Sequence, residues 1–225
     1  MELRAEGASR RFFRGSGSAN YFYAVEKTDF VLPAGKLTEI TGRSGSGKST
    51  LLNMLAGLLA PTEGKIFLDE TDLYSLDDAA LSALRNHSIG VIPQGQTGLH
   101  SLTVLENVLL PCTMYGEEAD ENRALELLES VGIAKLRDAC PNELSGGEMR
   151  RLAIARALMR RPSILLADEP TGDLDNENTA VVLTLLRQCA DAGNAVLLVT
   201  HEREAAAFAD TIYTMQEGRL HLERE

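Results

Sequence analysis

The chain has 225 residues, 44% hydrophobic and 24% charged, enough to bury the core of one large domain and too apolar for a disordered polypeptide. Thirty-three acidic against 22 basic residues leave a net charge of −11, which excludes a nucleic-acid-binding surface spread over the whole protein, because phosphate backbones demand excess Lys and Arg. No apolar run approaches the roughly 18 residues of a membrane span, and Met1-Glu2-Leu3-Arg4-Ala5-Glu6 lacks a signal-peptide core, so the cytosol is the expected compartment; Cys112, Cys140 and Cys189 are widely spaced and read as reduced thiols without assigned chemistry.

In chain order, residues 2–32 predict a hairpin, with Phe12-Phe13 and Tyr21-Phe22-Tyr23 flanking a flexible Arg14-Gly15-Ser16-Gly17-Ser18 turn. After the turn signal Pro33-Ala34-Gly35-Lys36, a strand over 37–41, more polar than a central strand should be, enters Gly42-Arg43-Ser44-Gly45-Ser46-Gly47-Lys48-Ser49. That stretch fits the phosphate-loop pattern of Gly, four residues, then Gly-Lys-Ser. Its glycines let backbone N–H groups curl toward phosphate oxygens, and the helix predicted over 50–56 presents its positive end to them. Lys48 supplies a point charge for the β- and γ-phosphates, and Ser49 a hydroxyl for Mg²⁺. Residues 59–64 break this helix, 65–69 form a short strand, Asp77 caps a helix through 85, and 89–92 form an apolar strand running into Pro93-Gln94. From 103 to about 158 the signals are helical, including Ala124, Leu125, Leu127, Leu128 and Val131 at 3–4 spacing before a Gly132 C-cap. A helical lobe is therefore inserted there. The alternation of strand and helix returns with a strand at 164–167, a helix at 179–192, a strand at 195–199 and a closing hairpin over 212–221.

Two further stretches carry chemistry. Ile164-Leu165-Leu166-Ala167-Asp168-Glu169-Pro170 is a buried strand ending in two carboxylates, and strand ends of this kind line the ligand crevice in parallel α/β sheets. Asp168 is expected to hold the Mg²⁺ shell, and Glu169 to orient the attacking water in line with the γ-phosphate. Leu144-Ser145-Gly146-Gly147-Glu148 opens a helix, with Ser145 and Glu148 at capping-box spacing. Capping leaves the paired glycines unexplained: they weaken the first turn but admit an anion close to the backbone.

Over essentially its whole length the chain resembles the nucleotide-binding subunit of an ABC transporter. The resemblance makes 42–49 the Walker A motif, 164–169 Walker B and 144–148 the signature motif. It matches Gln94 to the Q-loop glutamine, Thr171-Gly172-Asp173-Leu174-Asp175 to the D-loop and His201 to the switch histidine. It implies ATP and Mg²⁺ as ligands, with Glu169, His201 and Lys48 in catalysis and Ser49, Gln94 and Asp168 around the metal. Nucleotide contacts are implied for Gly42, Ser44, Gly45, Ser46, Gly47, Lys48, Ser49, Thr50 and Gln94, and for Ser145, Gly146, Gly147 and Asp175. The adenine-stacking aromatic falls at Phe12 or, one residue off, Phe13. The implied fold is an α/β P-loop NTPase core, RecA-like with a mostly parallel sheet, bearing an N-terminal antiparallel β-subdomain and an inserted α-helical subdomain. It forms one domain, with the core at 1–94 and 159–225 and the helical part at 95–158.

Because the signature residues lie far from their own Walker A loop in this family, the resemblance implies an ATP-dependent head-to-tail homodimer. Each ATP would lie between Lys48 of one copy and Ser145, Gly146 and Gly147 of the other. Thr103-Val104-Leu105-Glu106-Asn107-Val108-Leu109-Leu110-Pro111, with Ala56-Gly57-Leu58 and Pro61-Thr62-Glu63-Gly64, resembles the macrolide-export, lipoprotein-release and cell-division branch. The expected partner is an integral membrane permease or force-transmitting subunit, met at the cytoplasmic face, with no direct nucleic-acid binding. Met149 stands where a glutamine is usual, and Gly95-Gln96-Thr97-Gly98 where a phenylalanine and other apolar residues are. The rival readings are a soluble ABC-type ATPase acting on DNA or ribosomes and a nucleotide sensor without turnover. A single cassette with no coiled-coil insertion argues against the first, and Glu169 against the second.

Overall fold

Two β-sheets frame the molecule in the computed structural model, which describes residues 1–13, 21–95, 98–172 and 174–225. β1 (Leu3–Phe13) and β2 (Tyr21–Leu32) form the expected antiparallel hairpin. The turn predicted at 14–18 lies outside the described residues. β3 (Leu37–Thr41) leads to α1 (Lys48–Leu55), followed by β4 (Glu63–Leu68) and the two-residue β5 (Thr71–Asp72). The first sheet, in the order β2-β1-β4-β5, is antiparallel throughout.

Next come α2 (Asp78–Ser88), capped by Asp77 as expected, and β6 (Ile89–Ile92). The helical stretch resolves into α3 (Val104–Thr113), α4 (Glu121–Ser130) and α5 (Gly146–Leu158), with short 3-10 turns between α4 and α5. A Thr103–Glu106 capping box starts α3, and Asp120 starts α4. Val131 caps the end of α4, and Gly132 follows at φ 73°. β7 (Ile164–Asp168), α6 (Asn176–Asp191), β8 (Ala195–Val199), β9 (Thr211–Gln216) and β10 (Arg219–Arg224) complete the chain. α6 begins three residues before the predicted 179 because Asp175 accepts the Asn178 N–H at 2.8 Å.

The second sheet runs β10-β9-β3-β8-β7-β6, parallel except for the β9–β10 hairpin. Its central strands are apolar on both faces because both are covered. Ile164 and Leu166 of β7, with Ala195, Leu197 and Val199 of β8, join α1, α2 and the first sheet in one apolar cluster. Leu165, Ala167, Val196 and Leu198 join the helices of the other side. Each fully buried Leu or Ile contributes about 1.5–3 kcal/mol of burial. α5 has no amphipathic stripe because it is clasped on several sides: Met149, Leu152, Ala153, Ile154 and Ala155 are all buried, against α3, α4 and β6 among others. It therefore ties the helical lobe to the sheet.

Candidate active site

The phosphate loop leaves β3 at Gly42 and enters α1 at Lys48. Two of its glycines are required by packing. A Cβ on Gly42 (φ 148°) would fall 2.3 Å from the Met215 carbonyl oxygen, and one on Gly47 (φ 111°) 2.0 Å from the Ala24 carbonyl oxygen. The loop is thus wedged between β9 and β2. The β9–β10 turn completes the wedge, for the Gly218 N–H donates to the Ser46 carbonyl at 2.9 Å while its carbonyl accepts from the Glu26 N–H at 2.8 Å. The buried Lys48 ammonium lies across the loop and donates to the carbonyls of Gly42 at 2.7 Å and Arg43 at 3.1 Å.

A cleft of about 620 Å³ runs alongside, lined by Phe12, Lys48, Ser49, Gln94, Glu169 and His201, with Ser44, Gly45, Gly47 and Thr50 on the loop side. Gly42 and Ser46 instead border a 530 Å³ hollow between the loop and the end of β9, where Ser44 and Gly45 also face. At one end of the cleft Phe12 and Phe22, cross-strand neighbours, hold their ring centroids 6.0 Å apart. The Arg10 guanidinium sits 4.9 Å from the Phe12 centroid. Phe13, 65% exposed, points away from the cleft, so the geometry favours Phe12 as the aromatic wall. Strand alternation separates these two neighbours.

At the other end β7 delivers the two carboxylates. Asp168 is buried and takes a hydrogen bond from the Ser49 side chain, while its Oδ1 has no hydrogen-bond partner. Burial, reinforced by the neighbouring Glu169 charge, pushes the Asp168 carboxyl above its ordinary range; the Ser49 hydrogen bond and the charges of Lys48 and Arg150 oppose this. Glu169 leaves the strand at φ 47°, a left-handed conformation that costs about 1–3 kcal/mol and re-aims the chain. Its N–H stays anchored to the Val199 carbonyl at 2.8 Å. His201 Nδ1 stands 2.9 Å from Glu169 Oε2, with the carboxylate side chain 11% exposed and the imidazole 68% exposed. A recessed carboxylate with a solvent-facing imidazole at the mouth can hold a water and pass a proton outward.

The signature residues are elsewhere. Ser145 caps α5 in a reciprocal box, its N–H donating to Glu148 Oε2 at 2.7 Å and its hydroxyl donating to the same oxygen at 2.7 Å. Those hydrogen bonds lower the Glu148 carboxyl below its usual range. Ser145, Gly146 and Gly147 do not border the cleft, nor does Asp175, which is exposed and caps α6. Asp173, Gln96 and Thr97 lie outside the described residues.

The two departures from the family pattern fit one another. Buried Met149 places its Cε 2.9 Å from where a Cβ on Gly98 would be, so the Met149 methyl occupies the space that a side chain at residue 98 would need. Beside it Arg150, 8% exposed, donates from Nη1 to the carbonyls of Pro93 at 3.0 Å and Gly95 at 3.4 Å. Sequence reasoning singled out neither Phe22 nor Arg150. Phe22 was visible as an aromatic facing Phe12 across the hairpin, but nothing local marked Arg150.

Comparison with known proteins agrees with this geometry. Residues 25–172 match the family described as ABC transporter. The lipoprotein-releasing system ATP-binding protein LolD of Treponema denticola is 40% identical over 208 residues, covering 91% of this chain and 92% of that protein. The macrolide export ATP-binding/permease protein MacB of Chlorobaculum tepidum is 39% identical over 196 residues, and the match covers 87% of this chain but 30% of that longer protein. A dimeric structure of the ATP-binding cassette MJ0796, in a post-hydrolysis state bound to ADP and Pi, superposes with a TM-score of 0.91 at 33% identity over 99% of each chain. These relatives include the branch that the sequence resembles. With a phosphate loop, two carboxylates at a parallel strand end and a capped signature helix in this order and fold, the chain belongs to the ABC transporter family as one of its ATP-binding ATPase cassettes.

Proposed function

We propose that two copies of this chain close head to tail on ATP, hydrolyse it, and thereby drive a conformational change in a separate membrane subunit at the cytoplasmic face. The carrying observation is the split of the site. Lys48, Ser49, Gln94, Glu169 and His201 share one cleft, while Ser145, Gly146 and Gly147 stand outside it with glycine backbone free for an anion. A second copy presenting its signature helix to the cleft completes the set. The γ-phosphate then holds the two halves together, and its loss releases them.

Within the cleft Lys48 binds the β- and γ-phosphates, and loop N–H groups cradle them. Phe12, flanked by Phe22, takes the base on its face. Glu169 accepts a hydrogen bond from the attacking water, and His201, hydrogen-bonded to Glu169, keeps that carboxylate in place. Mg²⁺ suits the oxygen donors available: Asp168 Oδ1 is buried without a partner, Ser49 carries its hydroxyl beside it, and Gln94 borders the same cleft. When bound, the ion supplies charge neutralisation on the phosphate oxygens. Among the described residues no three His, Cys, Asp or Glu side chains cluster to hold a metal unaided, which suits an ion shared with substrate oxygens.

Among the described residues no helix is long and apolar enough to cross a membrane, so the spans belong to the partner. The helical part at 95–158, set against a nucleotide-binding core at 1–94 and 159–225, is its docking element. Export, lipoprotein release and transmembrane force transmission are the tasks that this branch suggests. The test is Glu169→Gln with ATP and Mg²⁺ on gel filtration. A dimer that dissociates on nucleotide removal is expected; a variant that binds ATP and stays monomeric would overturn the composite site.

A further inference from the structure

Arg150 is a buried cation that the hydrolytic reading leaves without a role. It projects from the fifth residue of α5 and reaches the segment after β6, where one nitrogen, Nη1, serves the carbonyls on either side of Gln94. Bonding the carbonyls of Pro93 and Gly95 holds the peptide plane that enters residue 94 and the plane that leaves residue 95, and so limits the direction in which the Gln94 side chain leaves the backbone. Met149, one position earlier, packs against Gly98 farther along the same segment. Consecutive side chains of the signature helix therefore grip the Gln94 segment at two places. Arg150 also borders a cavity of about 360 Å³ together with Gln94, Glu169, Gly172 and His201, so it faces the hydrolytic pair, and its charge acts on Asp168. Gln94 itself is exposed.

We propose that Arg150 is a positioning residue that sets Gln94 in the cleft by holding the backbone on both sides of it. A single guanidinium nitrogen bridges both carbonyls, a contact that a lysine ammonium on its flexible stem reproduces only in part. This inference rests on the proposed ATP hydrolysis for its kinetic readout, though not for its structural one.

The experiment compares wild type, Arg150→Gln and Arg150→Lys by steady-state ATPase kinetics and by amide hydrogen exchange of the peptide spanning 93–99. Arg150→Gln is expected to lower kcat roughly ten- to a hundredfold, the range in which a misplaced group acts, with KM for ATP changed by less than about threefold. Exchange should accelerate in that peptide while the strands β3, β7 and β8 keep wild-type protection. Arg150→Lys should recover part of kcat and part of the local protection. Wild-type kcat in Arg150→Gln with unchanged exchange would overturn the inference, and so would a loss of protection spread through the whole chain, which marks a merely structural residue. If wild type itself binds ATP but fails to hydrolyse it, the function proposed above fails, while exchange at 93–99 still decides whether Arg150 holds the segment.

Discussion

Glu39→Gln should stabilise the fold in a way that grows with pH. Glu39 lies in β3 at the centre of the second sheet, 2% exposed, with Leu198 of β8 and Ile212 of β9 beside it in register. Strand alternation puts it on the same face as Leu37, among the apolar residues of the larger cluster, and its Oε2 has no hydrogen-bond partner. Burial pushes its carboxyl up to about 7, with the Arg224 charge only partly opposing. A carboxyl whose folded value exceeds its unfolded one is protonated in both states at low pH and costs nothing there. As pH rises past about 4.5 the unfolded chain ionises first, and the penalty grows until the folded carboxyl also ionises near 7. At about 1.4 kcal/mol per pH unit the full penalty is about 3 kcal/mol, of which about 2 kcal/mol develops between roughly pH 5.5 and pH 8.5. Urea unfolding of wild type and Glu39→Gln across that range measures it as a difference, which cancels the titration of every other group. A gap that stays constant with pH, or narrows as pH rises, would refute the reasoning.

Phe12→Ala should weaken binding of a fluorescent ATP analogue by about fivefold or more, since stacking on a base is worth about 1–3 kcal/mol, whereas Phe13→Ala should leave it within about twofold. Equal losses at both positions would remove the assignment of the cleft wall to Phe12. Gly47→Ala combines a left-handed φ of 111° with a 2.0 Å approach to the Ala24 carbonyl oxygen, so it should destabilise by more than about 1 kcal/mol and abolish nucleotide binding. A Gly47→Ala protein that binds ATP normally would mean that the loop does not need the wedge between β2 and β9.

Much of this was legible locally. Strands β7 and β8 announce themselves as apolar runs because both faces of the sheet are covered, and the phosphate loop and the Ser145–Glu148 box are short-range patterns. The boundaries that moved did so at caps: Asp175 drew α6 back to Asn176, and left-handed Gly47 let α1 begin at Lys48. What sequence could not give were contacts between distant stretches. Arg150 sits 57 positions from Pro93, and nothing near it predicts that meeting. α5 hid its orientation because a helix buried on several sides has no polar stripe. The excess polarity of β3 is plain in the sequence, but only the sheet order, with β3 flanked by β8 and β9, turns Glu39 from an oddity into a titratable group under pressure.

The phosphate loop owes its shape to both flanks of the sequence. Ala24 and Glu26 precede it, whereas Met215 and Gly218 are added about 170 residues after its own first glycine. Contacts of such separation close late, after the local helices and hairpins have formed. A nascent chain on the ribosome therefore carries the loop's sequence long before it carries a nucleotide site. Until β9 and the turn after it have emerged and docked, Gly42 has no wall to press against and the loop is held on the β2 side alone. The fully wedged loop is therefore a late product of folding, set by the last strands of the chain although its own residues lie near the start.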